Sequence, residues 1–172
     1  MLIRGVKIAF VAFVGVFGVL TGADNIVDYS LNFEAVRHIL AMDTIHRQSP
    51  LMARAITSPE LQHIAYWIII AAELLYGVLC LLGTLRLCFA WRRDRKAFDA
   101  AKLPATLGLA LGFALYFFGF LVIAGEWFQM WQSSQWNAQP SAFRCLTSIA
   151  LVLIILHLPD ANSAHNNFPD ST

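Results

Sequence analysis

Charge is what this chain has least of. Of its 172 residues only 13% are Asp, Glu, Lys or Arg, and the formal net charge is +1. That balance argues against a nucleic-acid surface, since phosphate recognition needs concentrated positive charge. Cysteine is scarce too: there are 3, and no CxxC pair. Cys80 and Cys88 would lie about 12 Å apart along one helix, beyond disulfide reach. Cys145 falls towards the other side, which disfavours a thiol oxidoreductase of the quinone-linked type. No segment between the apolar runs is long enough to bury a core of its own, so a soluble catalytic domain is excluded on size. What remains is hydrophobic, 58% of the residues with a mean hydropathy of +0.61, the composition of a membrane protein.

The apolar residues fall into four runs, at about 3–23, 59–85, 103–125 and 141–158. They predict an all-α, integral membrane four-helix bundle forming one domain over 1–160. The tail at 161–172 is expected to be disordered and cytoplasmic. In the first run Arg4 and Lys7 precede the uncharged stretch Ile8–Ala23. Thr21-Gly22-Ala23 also suits a signal-peptide cleavage site, but the run is read as a retained span with Lys7 snorkelling to the interface. Gly15, Gly18 and Gly22 share one stripe, and Gly18–Gly22 is a GxxxG pair that admits another helix closely.

Between the first two runs, Phe33, Val36, Ile39 and Leu40 recur at helical spacing opposite Glu34, Arg37 and His38. This pattern predicts an amphipathic helix on the outer surface of the bundle. Ser58-Pro59-Glu60 is a helix start, with Ser58 as N-cap. Six of the 12 basic residues (Arg86, Arg92, Arg93, Arg95, Lys96, Lys102) lie between the second and third runs. The positive-inside rule then places that loop and both termini in the cytoplasm and the other two loops outside. Glu126-Trp127-Phe128-Gln129-Met130-Trp131 through Trp136 reads as an aromatic belt at the outer end of the third span. The fourth span is the shortest, since only Cys145–Leu158 is uncharged. Arg144 would have to snorkel outward or pair with Glu126 or an acid of the first loop.

Chemistry concentrates on Glu73, at the centre of Leu61–Leu85, where a carboxylate is expensive and normally faces the protein interior with a partner. Depth counting favours a Glu73–Tyr116 hydrogen bond, with the carboxyl protonated and donating. A second candidate is an outer-mouth polar set: Asp24, Asn25, Asp28, His38, Asp43, Glu126 and Arg144. If helical, Asn25, Asp28 and Asn32 share a face with oxygens suited to a hard cation; the plainer reading is a solvated helix end and turn. His38, His46 and His63 with Asp43 allow a metal site in principle, but no tight ligand motif links them. His63 and His157 are expected at opposite ends of the bundle, too far apart to share a haem. No catalytic constellation emerges. The expectation is a non-enzyme without cofactor or metal, with the lipid bilayer as its medium and a membrane-protein partner or further copies of itself as its associates.

Several strings bear a resemblance. Asn25-Ile26-Val27-Asp28-Tyr29, His38-Ile39-Leu40-Ala41-Met42-Asp43, Arg54-Ala55-Ile56-Thr57-Ser58-Pro59, Glu73, Glu126 through Ser133, Trp136-Asn137 and Ala142-Phe143-Arg144 together resemble a bacterial family of predicted small integral membrane proteins of uncharacterised function. The resemblance implies a multi-pass, four-helix protein of the bacterial inner membrane. It brings no activity, substrate or cofactor, and it points any binding surface outwards. Two functions are then expected. The first is a non-catalytic accessory or assembly subunit of a larger bacterial membrane complex. The alternative is an autonomous carrier or sensor for a small ligand or cation, with the outer polar set as its mouth and Glu73 as a buried gate or proton relay.

Overall fold

The computed structural model describes residues 1–45 and 49–159. The helices are α1 (Leu2–Val27), α2 (Tyr29–Ala41), α3 (Pro59–Ala90), α4 (Arg95–Ala101), α5 (Leu103–Ala114) and α6 (Gln139–His157). α5 continues without a break into a π-helical stretch, Leu115–Trp127. Short 3-10 turns at Pro50–Arg54 and Met130–Gln132 complete the connections. Among the described residues, four helices are long and apolar enough to cross a membrane: α1, α3, the unit Arg95–Trp127, and α6. The expected all-α bundle with a short helix between its first two spans is what the chain forms. The expected disordered tail, and His46, lie outside the described residues.

The bundle closes on small residues. A Cβ at Gly18 would sit 2.4 Å from Cε2 of Tyr76, and one at Gly77 would sit 2.6 Å from the backbone nitrogen of Val19. α1 and α3 thus meet backbone to backbone, as small residues in membrane helices allow. On its other side α3 meets α5 in the same way: a Cβ at Gly83 would fall 2.4 Å from the Ala105 nitrogen, and one at Gly108 2.8 Å from the Cys80 nitrogen. Val11, Tyr76, Cys80, Leu87, Phe98 and Leu109 form the fully buried centre. The glycine face of the third span ends at Gly112. A Cβ at Gly119, the fifth residue of the wider π winding, would meet only the side chain of Leu115, at 3.7 Å.

α1 runs further than its uncharged stretch, through Asp24 to Val27. Asp28 is both its C-cap and the N-cap of α2. α2 then lays its apolar side over α3 and the π-helical stretch, where Leu40, Met42, Ile45 and Phe128 form a second, smaller core with Ile39, Ile56 and Ala65. Ile56 N–H donates to the Leu40 carbonyl at 2.8 Å, tying the returning segment of the connection to the end of α2. Met42 holds a left-handed conformation with φ 52° while fully buried. That backbone is uncommon for a side chain of this size and persists where packing over-determines it.

At the opposite, basic end, Lys7 does not snorkel to solvent. It is 1% exposed, and its Nζ donates to the Leu158 carbonyl, the C-cap of α6. A cation is favourable at the C-terminal end of a helix dipole, so Lys7 is held by α6 instead of extending into water. Arg4 lies over the Phe98 ring at 4.4 Å and donates to the carbonyls of Trp91 and Arg93. Lys102 pairs with Asp99 at 2.6 Å.

Candidate functional site

Glu73 is 3% exposed. Its partner is Asn25, whose Nδ2 donates to Glu73 Oε2 at 2.7 Å, and not the expected Tyr116. The reason is azimuth, not depth. Gly112 packs against Tyr76, so Tyr116, one turn on, comes level with Glu73, as depth counting supposed. But Glu73 points at α1, and the hydroxyl that Tyr116 meets is that of Tyr76, at 3.5 Å. The two tyrosine rings lie edge to face, 6.3 Å apart.

The glycine stripe sets this up. Gly15, Gly18, Gly22 and Asn25 recur at three- and four-residue steps, one face of α1. Gly15 packs on Cys80 and Leu81, Gly18 on Tyr76 and Gly77, and Gly22 on Leu74. The next residue of the stripe therefore arrives beside Glu73. Glu73 is central in the uncharged run of α3, yet it is level with the α2 end of the uncharged run of α1. Asn25 is fixed in turn: its Oδ1 accepts from Asn32 Nδ2 at 2.6 Å, across the break at Asp28, and its carbonyl accepts from the Tyr66 hydroxyl at 3.4 Å. The single helical face expected for Asn25, Asp28 and Asn32 does not form, because the helix breaks at Asp28; Asn25 and Asn32 instead meet across the break in a side-chain chain Asn32–Asn25–Glu73 that points inward.

Chemically this chain holds a carboxyl in place. The two groups leading outward from Glu73 are amides, which carry no readily exchanged proton at physiological pH. Among the described residues no buried side-chain nitrogen or oxygen lacks a partner. Glu73 does not line the groove between α1 and α6.

The outer-mouth residues do not form one mouth. His38 and Asp43 do come together: His38 Nδ1 lies 2.8 Å from Asp43 Oδ2. Arg37 Nη2 sits 3.0 Å from His38 Nε2 and 2.6 Å from Glu34 Oε2. Because the guanidinium only donates, Nε2 accepts and the ring proton belongs on Nδ1, facing Asp43. With Nε2 occupied, the Asp–His pair has no nitrogen to offer as a general base. The Arg37 hydrogen bond is the main reason that the Glu34 carboxyl is held below its ordinary value. Trp136 stacks on His38, with ring centroids 4.9 Å apart, and Thr44 donates to Ser133 Oγ at 3.0 Å. The two loops at this end are thereby joined.

The remaining members lie apart from that cluster. Asp24 and Asp28 are exposed, Asp28 accepting from Ser30 Oγ at 3.3 Å. Glu126 is exposed, and its backbone carbonyl accepts from the Gln129 side chain. Arg144 reaches neither Glu126 nor an acid of the first connection. Its Nη2 donates to Ser141 Oγ at 2.9 Å, one turn away on its own helix, and it faces the flank of the bundle. Among the described residues no three His, Cys, Asp or Glu gather to hold a metal.

Three contacts at this end escaped sequence reasoning. Arg54 lies over the Trp127 ring at 4.3 Å and donates to its carbonyl. His63 stacks on Phe33 at 4.1 Å and bonds the Tyr29 hydroxyl at 2.8 Å. Partial burial raises the pKa of that hydroxyl above its ordinary value. The third is the His38–Trp136 stack. Each joins residues far apart in the chain, and no periodicity within one segment reports such a pairing.

No curated protein and no solved structure matches the chain. Residues 3–159 match the family described as "Predicted small integral membrane protein (DUF2165)". With nearly all of its length matched, this multi-pass chain belongs to that family of predicted small integral membrane proteins.

Proposed function

We propose that the protein is a non-catalytic accessory or assembly subunit of a larger complex in the bacterial inner membrane. In this reading the surface built by α2 and the Met130–Gln132 turn meets the partner. The observation that carries it is the use of Glu73. Its carboxyl is bound by Asn25 inside a glycine-packed α1–α3 seam, as in a helix tie; a carrier would need a water-filled route to it. The polar groups at the α2 end are likewise engaged with one another, through His38–Asp43, Arg37–Glu34 and Arg54–Trp127. That preorganises a surface for recognition. The basic loop at the far end supports an orientation with α2 outside.

The test is purification of the tagged chain from its native membrane in mild detergent, followed by native mass measurement and partner identification. A stoichiometric partner that is lost in Trp136→Ala but retained in Phe89→Ala, a substitution at the basic end, supports the reading. A lone monomer or homo-oligomer overturns it. Ion flux through reconstituted protein that Glu73→Gln abolishes would establish the carrier instead.

A further inference from the structure

Helix α1 has a second face. Opposite the glycine stripe it carries Phe10, Phe13 and Phe17, and these line a groove between α1 and α6 with a volume of about 530 Å³. Small or branched side chains of α6, among them Ser148 and Val152, form the other wall. The groove exists because α1 turns its small residues to α3, leaving bulk to face α6. The two helices are pinned at the basic end by Lys7 and the Leu158 carbonyl. From Arg144 to Ile155 the groove runs about 16 Å along α6, close to the hydrocarbon depth of one leaflet, about 15 Å.

One charge lines it, Arg144, at the end nearer α2. Arg144 is exposed, and no carboxylate pairs with it among the described residues. One of its five N–H donors is spent on Ser141 Oγ, which leaves a fork suited to phosphate oxygens. The depth of Arg144 adds to the argument. The uncharged run of α6, Cys145–Leu158, spans about 21 Å, and that of α1, Ile8–Ala23, about 24 Å. Leu61–Leu85 of α3, broken only by Glu73, spans about 37 Å. A guanidinium on the short flank sits below the headgroup level set by the long one, where it calls for an anionic partner that brings its own apolar tail.

We propose that the α1–α6 groove is a binding site for an anionic phospholipid of the leaflet on the α2 side. One acyl chain lies against Phe10, Phe13 and Phe17, and the phosphate sits on Arg144. The experiment is native mass spectrometry of the full chain released from nanodiscs of equal parts dioleoyl phosphatidylglycerol and phosphatidylcholine. One phosphatidylglycerol is expected to stay bound at collision energies that strip phosphatidylcholine. Arg144→Gln is expected to lower that retention at least tenfold while Arg144→Lys keeps most of it, and Ser148→Phe, which fills the groove, is expected to abolish it. Arg95→Gln, at the opposite end, leaves it unchanged. Equal retention by wild type, Arg144→Gln and Ser148→Phe overturns the proposal. So does a dimer that Ser148→Phe disperses, since a second copy would then be the occupant. If Ser148→Phe does not fold, the Gln-against-Lys comparison at Arg144 decides alone.

Discussion

The two seams made by α1 differ as much as any two surfaces of this molecule. Towards α3 it offers Gly15, Gly18 and Gly22, and the helices approach until a single added Cβ would collide. Towards α6 it offers Phe10, Phe13 and Phe17, and the helices leave a groove between them. Lipid tails are as apolar as leucine, so apolar bulk alone does not drive membrane helices together. What joins them here is close van der Waals approach plus one buried polar tie. The seam that has glycine and Asn25–Glu73 is closed; the seam with phenylalanine is open along most of its length.

The comparison breaks most severely at Gly77. A valine there meets the backbone of Val19 at 2.6 Å and the Gly15 carbonyl at 3.0 Å, and backbone cannot step aside as a side-chain tip can. Gly77→Val is expected to destabilise the bundle by about 3 kcal/mol or more, seen as loss of the folded species in a detergent-unfolding titration. Next is the polar tie. Asn25→Leu strands a buried carboxyl and should cost about 1–2 kcal/mol, whereas Glu73→Gln, which keeps an acceptor for Asn25, should cost well under that. A double-mutant cycle of Asn25→Leu with Glu73→Leu, which removes the acceptor, should give a coupling at least as large as the Asn25→Leu loss; additivity would mean that the 2.7 Å contact contributes nothing.

On the open seam the same kind of truncation should be nearly silent. Phe13 is 67% exposed, so Phe13→Ala exchanges ring contacts for lipid contacts and is expected to change unfolding by less than about 0.5 kcal/mol. An effect as large as that of Asn25→Leu would erase the distinction between the seams. The smallest effect is expected at Glu34, on the solvent side of α2. Its carboxyl is held below 4.5 chiefly by the hydrogen bond from Arg37. The sign follows: the pair's contribution is present above the unfolded value and is lost as pH falls through the lower folded one. A carboxyl-carbon NMR titration should find Glu34 below an ordinary glutamate and returned to it in Arg37→Gln.

How much of this was legible beforehand depended on whether one segment carried the signal. The four spans, the Ser58 cap, the amphipathic α2 and the glycine stripe are all local patterns, and the structure has each of them, with α1 running on to Val27 and the third unit starting at Arg95. Ser58 Oγ accepts from Leu61 N–H and donates to Glu60. The partner of Glu73 was a matter between segments: depth picked Tyr116, while the azimuth set by the Gly18–Gly77 contact picked Asn25. Extending the glycine stripe by three residues would have named it. The π winding of Leu115–Trp127 left no trace because nearly every residue there is apolar, and a run without polar punctuation has no period to read. The outer-mouth set was assembled from polar residues expected beyond the ends of the spans, and packing distributed it among a buried tie at Asn25, a surface cluster at His38 and Asp43, a lateral groove at Arg144 and separate exposed positions at Asp24, Asp28 and Glu126.

The bond between Lys7 and the Leu158 carbonyl joins residues 151 positions apart, and that separation is also an interval of time. At roughly 5–20 residues per second, the ribosome adds Leu158 about 8–30 s after Lys7. Throughout that interval the ammonium near the start of α1 has been made and its acceptor has not. The glycine seam with α3, complete some seventy residues sooner, can form first. Lys7 then acts as a latch that fastens when the last span is delivered, so a nascent chain stalled before α6 would carry a closed first seam and an unfastened first helix.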